Sequence, residues 1–381
     1  MKPVVLQQPS RILFGDGTVT QVPDELTTRG WRRVFVVTGR RIAAANESTF
    51  AAWRQAGLEV VLFAEVDREP EIELFETVLT AARGCSPDVI VGFGGGSAID
   101  VAKLVAALLD GAQAVREVFG IGLLKGRARP LVCIATTAGT GADVSPNAIL
   151  LDEQEKLKKG VVSPFLVPDI AVCDPELTHS VPPAVTAATG IDALVHCMEA
   201  YANKFAHPVV DVWALEGIRR IGRSIVTAVR QGDNREARAD VMLGALCGGL
   251  CLGPVNTAAV HALSYPLGGS YRVAHGVGNS LLMPHVFRFN LSAMPHRYAD
   301  IAVALGCPRG ADDLATAEAG LVRLVELSRE CGIPQRLDEV GVPAADIPAL
   351  AAAAMKVTRL LKNNPRELTA ADAEAIYRAA T

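Results

Sequence analysis

The stretch "GIDALVHCMEAY", Gly190 to Tyr201, places Asp192, His196 and Glu199 at spacings of four and three. On a helix these positions share one face. An Asp and a His one turn apart offer two donors to a divalent first-row cation. Further along, "VNTAAVHALSYPLGGSYRVAHGVGN" sets His261 after a small-residue helical stretch and His275 before a glycine in a turn-like stretch. Asp192, His196, His261 and His275 together make one carboxylate and three imidazoles, a set that suits Fe(II) or Zn(II). Taken singly, each histidine reads as an ordinary core or surface residue. The metal reading gains weight from glycine-rich loops elsewhere in the chain.

The first of these is "PDVIVGFGGGSAIDVAK": an apolar strand pattern, then Gly94, Gly95 and Gly96, then a helical pattern. Glycines let a phosphate approach the main chain. Ser97 is expected to cap the following helix, with Asp100 completing a capping-box-like pair. A helix start with free N–H groups suits a pyrophosphate. The loop departs from G-x-G-x-x-G because Ser97 takes the last glycine position, and no acidic ribose partner is evident about 20 residues downstream. A tight turn without a ligand is the plainer alternative. A second loop, "TTAGTGADVS", Thr136 to Ser145, also follows an apolar strand and is rich in glycine and hydroxyl residues.

These residues must be positioned by two different textures. In the first half, "RRVFVVTG" (32–39), "LEVVLFAEV" (58–66), "PDVIVGFG" (87–94) and "RPLVCIATT" (129–137) alternate with helical segments such as "FETVLTAARG". Continuous β-branched runs predict strands covered on both faces, hence a parallel α/β sheet. From about Pro182 the pattern is helical almost to the end, and "TAAD", Thr369 to Asp372, announces the last helix with a capping box. The boundary is placed within residues 174–183. It gives an α/β domain over 1–180 and an all-helical domain over 181–381, with a ligand expected in a cleft between them.

Bulk properties exclude other classes. Of 381 residues half are hydrophobic and a fifth charged, a globular balance. The net charge of -4 gives no footprint for nucleic acid or an anionic membrane. No apolar run reaches the roughly 18 residues of a membrane span, and "MKPVVLQQPSRILFGDG" lacks a signal peptide's apolar stretch. The eight cysteines lie mostly in apolar surroundings. They read as reduced core residues of a cytoplasmic protein, the pair Cys247 and Cys251 included.

The chain resembles the iron-containing (group III) alcohol dehydrogenase family along nearly its whole length. The resemblance is carried by "GFGGGSAIDVAK", "TTAGTGADVS", "PDIAVCDPELT", "GIDALVHCMEAY", "HALSYPLGGSYRVAHG" and "NNPRELT". It implies a multidomain fold like that of dehydroquinate synthase, with an N-terminal Rossmann-like parallel-sheet domain and a C-terminal helical domain. It further implies a homodimer using Fe(II), or alternatively Zn(II), and NAD(P)(H) on a small alcohol and its aldehyde or ketone. Residue by residue, Asp192, His196, His261 and His275 match metal ligands. Gly95, Gly96, Ser97, Thr136, Thr137 and Thr140 match cofactor contacts, with Lys158 in "KLKKGVV" a further candidate.

Three departures stand out. Tyr265 in "HALSYPLGG" occupies the place of a second family histidine, which leaves it as the candidate hydrogen-bonding group toward a substrate oxygen. Ala142-Asp143 replaces the usual Ser-Glu. Gly39, after "VFVVT", stands where NAD-preferring relatives usually carry Asp. That leaves room for a 2'-phosphate paired with Arg40 or Arg41, so NADP(H) is expected over NAD(H). Rival readings are a glycerol dehydrogenase or dehydroquinate-synthase-like lyase of the same fold, and a silent metal- or nucleotide-binding protein. The lyase would need a basic cluster for a phosphorylated substrate, toward which Arg272 alone points.

Overall fold

The computed structural model describes residues 3–155 and 157–381. The chain divides into two compact units: Gln7–Thr178, and His179–Thr381 joined by the described N-terminal residues up to Leu6.

Among the described residues, the first unit carries all the strands. In chain order these are β1 (Arg11–Phe14), β2 (Arg33–Val37), β3 (Glu59–Phe63), β4 (Val89–Gly94), β5 (Gly120–Ile121), β6 (Leu131–Ala135), β7 (Asn147–Asp152), β8 (Leu157–Val162) and β9 (Ile170–Cys173). Helices α1 (Val22–Thr28), α2 (Arg40–Ala45), α3 (Glu47–Gln55), α4 (Ile72–Cys85) and α5 (Gly96–Leu108) connect the earlier ones. Six strands form one sheet in the order β1-β9-β6-β4-β2-β3, and every pairing in it is parallel. The parallel sheet expected from continuous β-branched runs is therefore present; β4 and β6 are buried at every position. Under the sheet Phe50, Trp53 and Phe93 pack edge to face, with centroids 5.1 to 6.1 Å apart.

The order has a chemical consequence. From β2 the chain runs outward to β3, then returns to β4 on the other side of β2 and continues through β6 to β9. The direction of winding reverses between β2 and β4, which makes the carboxyl ends of those strands the topological switch point where open α/β sheets bind ligands. Both Gly39 and the glycine loop leave the sheet there. The remaining strands form a small second sheet, β5-β8-β7, in which β7 and β8 mix apolar residues with Asp or Lys.

The second unit is helical throughout. Its elements are α6 (Pro183–Tyr201), α7 (Pro208–Arg230), α8 (Arg235–Leu252), α9 (Ala259–Tyr271), α10 (His275–Asn290), α11 (Pro295–Ala304), α12 (Asp313–Glu330), α13 (Ile347–Ala354), α14 (Thr358–Leu361) and α15 (Ala370–Ala379). Helix α6 is the buried axis, packed against α7, α8 and α10. Small residues bring these helices close. A Cβ on Gly217 of α7 would meet Cys197 Sγ of α6 at 2.4 Å. Helix α15 opens with the expected reciprocal bonds between Thr369 and Asp372. All eight cysteines are free, and Cys247 and Cys251 are buried in α8. No described helix is long and apolar enough to cross a membrane.

Candidate metal centre and nucleotide loops

The face of α6 that raised the question of a metal points inward: Asp192, His196 and Glu199 are all buried. Asp192 Oδ1 lies 3.5 Å from His261 Nε2 and 3.9 Å from His196 Nε2. Donor atoms of Asp192, His261 and His275 all fall within 4.8 Å of one another. His196 completes the group, its ring stacked on that of His261 with centroids 4.8 Å apart. The structure thus gathers all four residues from three helices. Two of them sit in elements that differ from expectation. His261 lies within α9 rather than after a helix, and His275 begins α10 rather than a turn.

Two residues of this cluster had no role assigned in the sequence. Glu199 lies with its Oε2 2.7 Å from His261 Nδ1 and accepts the main-chain amides of Ala258 at 3.0 Å and Val260 at 2.6 Å. Asn279 Nδ2 donates to Asp192 Oδ1 at 2.6 Å and sits 3.2 Å from His275 Nε2. Their signals were present: Glu199 is three residues past His196, and Asn279 is four past His275. What the sequence lacked was the partner each would meet. Tyr265 places its ring 5.9 Å from that of His275, on the same helix as His261.

The donor set fits a cation. The buried Nε2 of His261 makes no hydrogen bond, a costly state for a polar atom away from water. Because Glu199 occupies Nδ1, Nε2 is the atom presented toward Asp192 and His275. Burial alone pushes the His261 imidazole down, but the Glu199 and Asp192 carboxylates outweigh it and raise it to about 9. Burial likewise opposes ionisation of Asp192, yet the surrounding imidazoles hold its carboxyl well below the usual range. A site this rich in negative potential, lined by imidazole nitrogens, is the environment that structural chemistry associates with Fe(II) or Zn(II).

In the first unit Gly94 ends β4, and Gly95 is the N-cap of α5 with extended backbone (φ -78, ψ -175). This corrects the expectation that Ser97 caps the helix. Ser97 lies inside the first turn, and Asp100 does not fold back to a cap. Its Oδ2 instead accepts the Ile149 amide of β7 at 3.0 Å, and burial pushes its carboxyl up to about 7 against the pull of Lys103. The second loop packs directly on the first. A Cβ on Gly96 would meet Thr140 Cγ2 at 2.8 Å and Oγ1 at 2.9 Å, and one on Gly95 would meet Thr137 Oγ1 at 3.4 Å. At the carboxyl ends of β2 and β6, the buried hydroxyls of Thr38 and Thr136 have no hydrogen-bond partner. Bare glycine main chain and orphaned hydroxyls at a switch point fit a dinucleotide.

Lys103, within the quoted motif but given no role, underlies this arrangement. Its fully buried ammonium donates to the carbonyls of Ser145 at 2.7 Å and Asn147 at 2.8 Å, where the second loop runs into β7. Lys158 lies in β8, and its ammonium pairs with Glu69 at 2.5 Å. Arg40 begins α2 directly after Gly39.

Donors of this kind fit a divalent metal in the helical unit, and the two loops fit a nucleotide in the α/β unit. The chain belongs to the iron-containing alcohol dehydrogenase family: residues 9–175 match the family model for iron-containing alcohol dehydrogenase, and residues 186–381 match that for the family's C-terminal part. It is 38% identical to long-chain-alcohol dehydrogenase 1 of Geobacillus thermodenitrificans, over 97% of this chain and 96% of that one. Its fold is similar to that of a 1,3-propanediol oxidoreductase, with a TM-score of 0.96 at 34% identity and full coverage of both chains. It is also similar to a sulfoacetaldehyde reductase from Bifidobacterium kashiwanohense solved with NAD+, with a TM-score of 0.90 at 26% identity, covering 100% of this chain and 99% of that one.

Proposed function

We propose that this alcohol dehydrogenase interconverts a small alcohol with its aldehyde or ketone, using NADP(H) in preference to NAD(H) and Fe(II), with Zn(II) the alternative, as its metal. The observation that carries the reading is the meeting of buried Asp192, His196 and His261 with half-buried His275 around the unsatisfied His261 Nε2. The named substrates of the relatives, long-chain alcohols, 1,3-propanediol and sulfoacetaldehyde, support an alcohol–carbonyl pair. A homodimer in the cytoplasm is part of the same proposal.

A bound divalent cation supplies Lewis-acid polarisation of the substrate oxygen. The protein's own residues do the rest. Asp192 and the three imidazoles hold the cation, Glu199 fixes the His261 tautomer, and Asn279 orients Asp192. Tyr265, whose ring lies 5.9 Å from that of His275, is the residue to hydrogen-bond a substrate oxygen. Gly94, Gly95, Gly96 and Ser97, with Thr136, Thr137 and Thr140, receive the cofactor phosphates at the switch point. Gly39 and Arg40, at the end of β2, face the adenosine ribose.

Metal analysis of freshly purified protein, run beside an aldehyde panel with NADPH and NADH, tests the proposal. The expected result is about one Fe or Zn per chain and turnover lost on chelation and regained with metal. Metal-free protein with full turnover would overturn it.

A further inference from the structure

The segment that follows β3 brings an acid to the end of β2. A Cβ on Gly39 would come within 2.9 Å of both Asp67 Oδ1 and the Val66 carbonyl oxygen. The space that an acidic residue at position 39 would need is therefore already taken, and by a carboxylate. Asp67 follows β3, the edge strand beside β2. Its segment is pinned there: Val66 N donates to the Thr38 carbonyl at 3.0 Å, and Arg40 N donates to Asp67 Oδ1 at 2.8 Å. The Arg40 guanidinium lies 3.6 Å from Asp67 Oδ2, with both side chains substantially exposed. One negative and one positive group thus share the edge of the switch point, and of the two only Arg40 is adjacent to Gly39 in sequence.

We propose that Asp67 is the specificity-determining residue for the adenosine end of the cofactor. Its carboxylate accepts the ribose hydroxyls of the unphosphorylated dinucleotide and repels a 2'-phosphate. Arg40, tethered by the same carboxylate, supplies the counter-charge that admits the phosphorylated one. The inference rests on the reading above that the ends of β2 and β4 hold the dinucleotide. It deepens that reading: with both groups in place the chain binds both cofactors, and the preference for NADP(H) is held small by Asp67.

The test is equilibrium binding of NADPH and NADH to the purified full chain, followed by reduced-nicotinamide fluorescence, for the wild type, Asp67→Asn and Arg40→Gln. Asparagine keeps an acceptor for the Arg40 amide while removing the charge. In Asp67→Asn the Kd for NADPH is expected to fall and that for NADH to rise, each about tenfold, the size of a lost charge repulsion and a lost charged hydrogen bond near the surface. Arg40→Gln is expected to weaken NADPH about tenfold and leave NADH unchanged. Asp67→Ser, which also lacks the charge, moves the ratio the same way as Asp67→Asn. A ratio unchanged in both Asp67 variants overturns the assignment. A wild type that binds NADH more tightly overturns the NADP(H) preference alone, and leaves the Asp67 variants to decide its role.

Discussion

Glu199 and His261 form a direct link between the metal cluster and the fold. Glu199 Oε2 sits 2.7 Å from His261 Nδ1, while the same carboxylate accepts the amides of Ala258 and Val260 at the start of α9. One side chain on α6 therefore fixes both the position of α9 and the ring orientation of the histidine that α9 carries. A carboxylate behind a ligating histidine raises its basicity and fixes which nitrogen faces the metal.

Replacing Glu199 with Gln is expected to leave the fold and the cluster's composition intact yet weaken metal binding about 10- to 100-fold. Competition with a chelator of known affinity measures this directly. An affinity equal to that of the wild type would show that Glu199 only props α9.

His261→Ala removes the atom around which the cluster converges. The expected outcome is loss of bound metal together with a fall in turnover of about a thousandfold or more, the worth of several kcal/mol of Lewis-acid stabilisation. Elemental analysis and an aldehyde-reduction assay on the same sample check both. Full turnover in the variant would remove His261 from the ligand set.

How much of this was legible beforehand depended on burial. Strands β4 and β6 are buried throughout and β2 is buried after Arg33, so their residues are almost all apolar, and "RVFVV" or "VIVGFG" reads as a strand without further help. Strands β7 and β8 are half-buried and carry Asp and Lys, as in "NAILLD" and "LKKGVV", and their pattern does not announce a second sheet. Helix α9 was blurred by Pro266 inside it, which normally argues against a helix interior. At the glycine loop the side-chain capping rule failed because Gly95, lacking a side chain, takes the cap position, which moves the helix start ahead of Ser97. Asp67 was beyond sequence reasoning altogether. Its meaning arises only once β3 is laid beside β2, which no spacing along the chain encodes.

The two nucleotide loops make a prediction that separates cofactor from metal. In Gly96→Ala the new methyl would meet Thr140 Cγ2 at 2.8 Å and Oγ1 at 2.9 Å. Such overpacking costs about 1–3 kcal/mol, and here it falls on the loop pair proposed to hold the phosphates. The Kd for NADPH is expected to rise about tenfold or more, with metal content unchanged. Unaltered cofactor affinity would place the phosphates elsewhere.

Acid stability should depend on a second cluster, one that joins α7 to α8 and shares no residue with the metal cluster. Asp240 of α8 accepts bonds from Arg223 Nε at 2.7 Å, Ser224 Oγ at 2.6 Å and Arg220 Nη1 at 2.9 Å, all on α7. Burial by itself pushes the Asp240 carboxyl up; the hydrogen bonds from Arg223, Ser224 and Arg220 outweigh it and hold it at about 2. A carboxyl depressed in the folded state contributes stability that is fully present above its unfolded value, 3.8, and is lost as pH falls toward 2. With solvent screening of the arginines, the contribution is on the order of 1 kcal/mol. The wild type should therefore lose stability to denaturant between about pH 4 and pH 2 more steeply than Asp240→Asn, which has no such proton to take up. At neutral pH the variant should be the less stable of the two, by about 1 kcal/mol. Parallel stability curves for the two proteins across that acid window would mean that the bonds between α7 and α8 contribute nothing through ionisation.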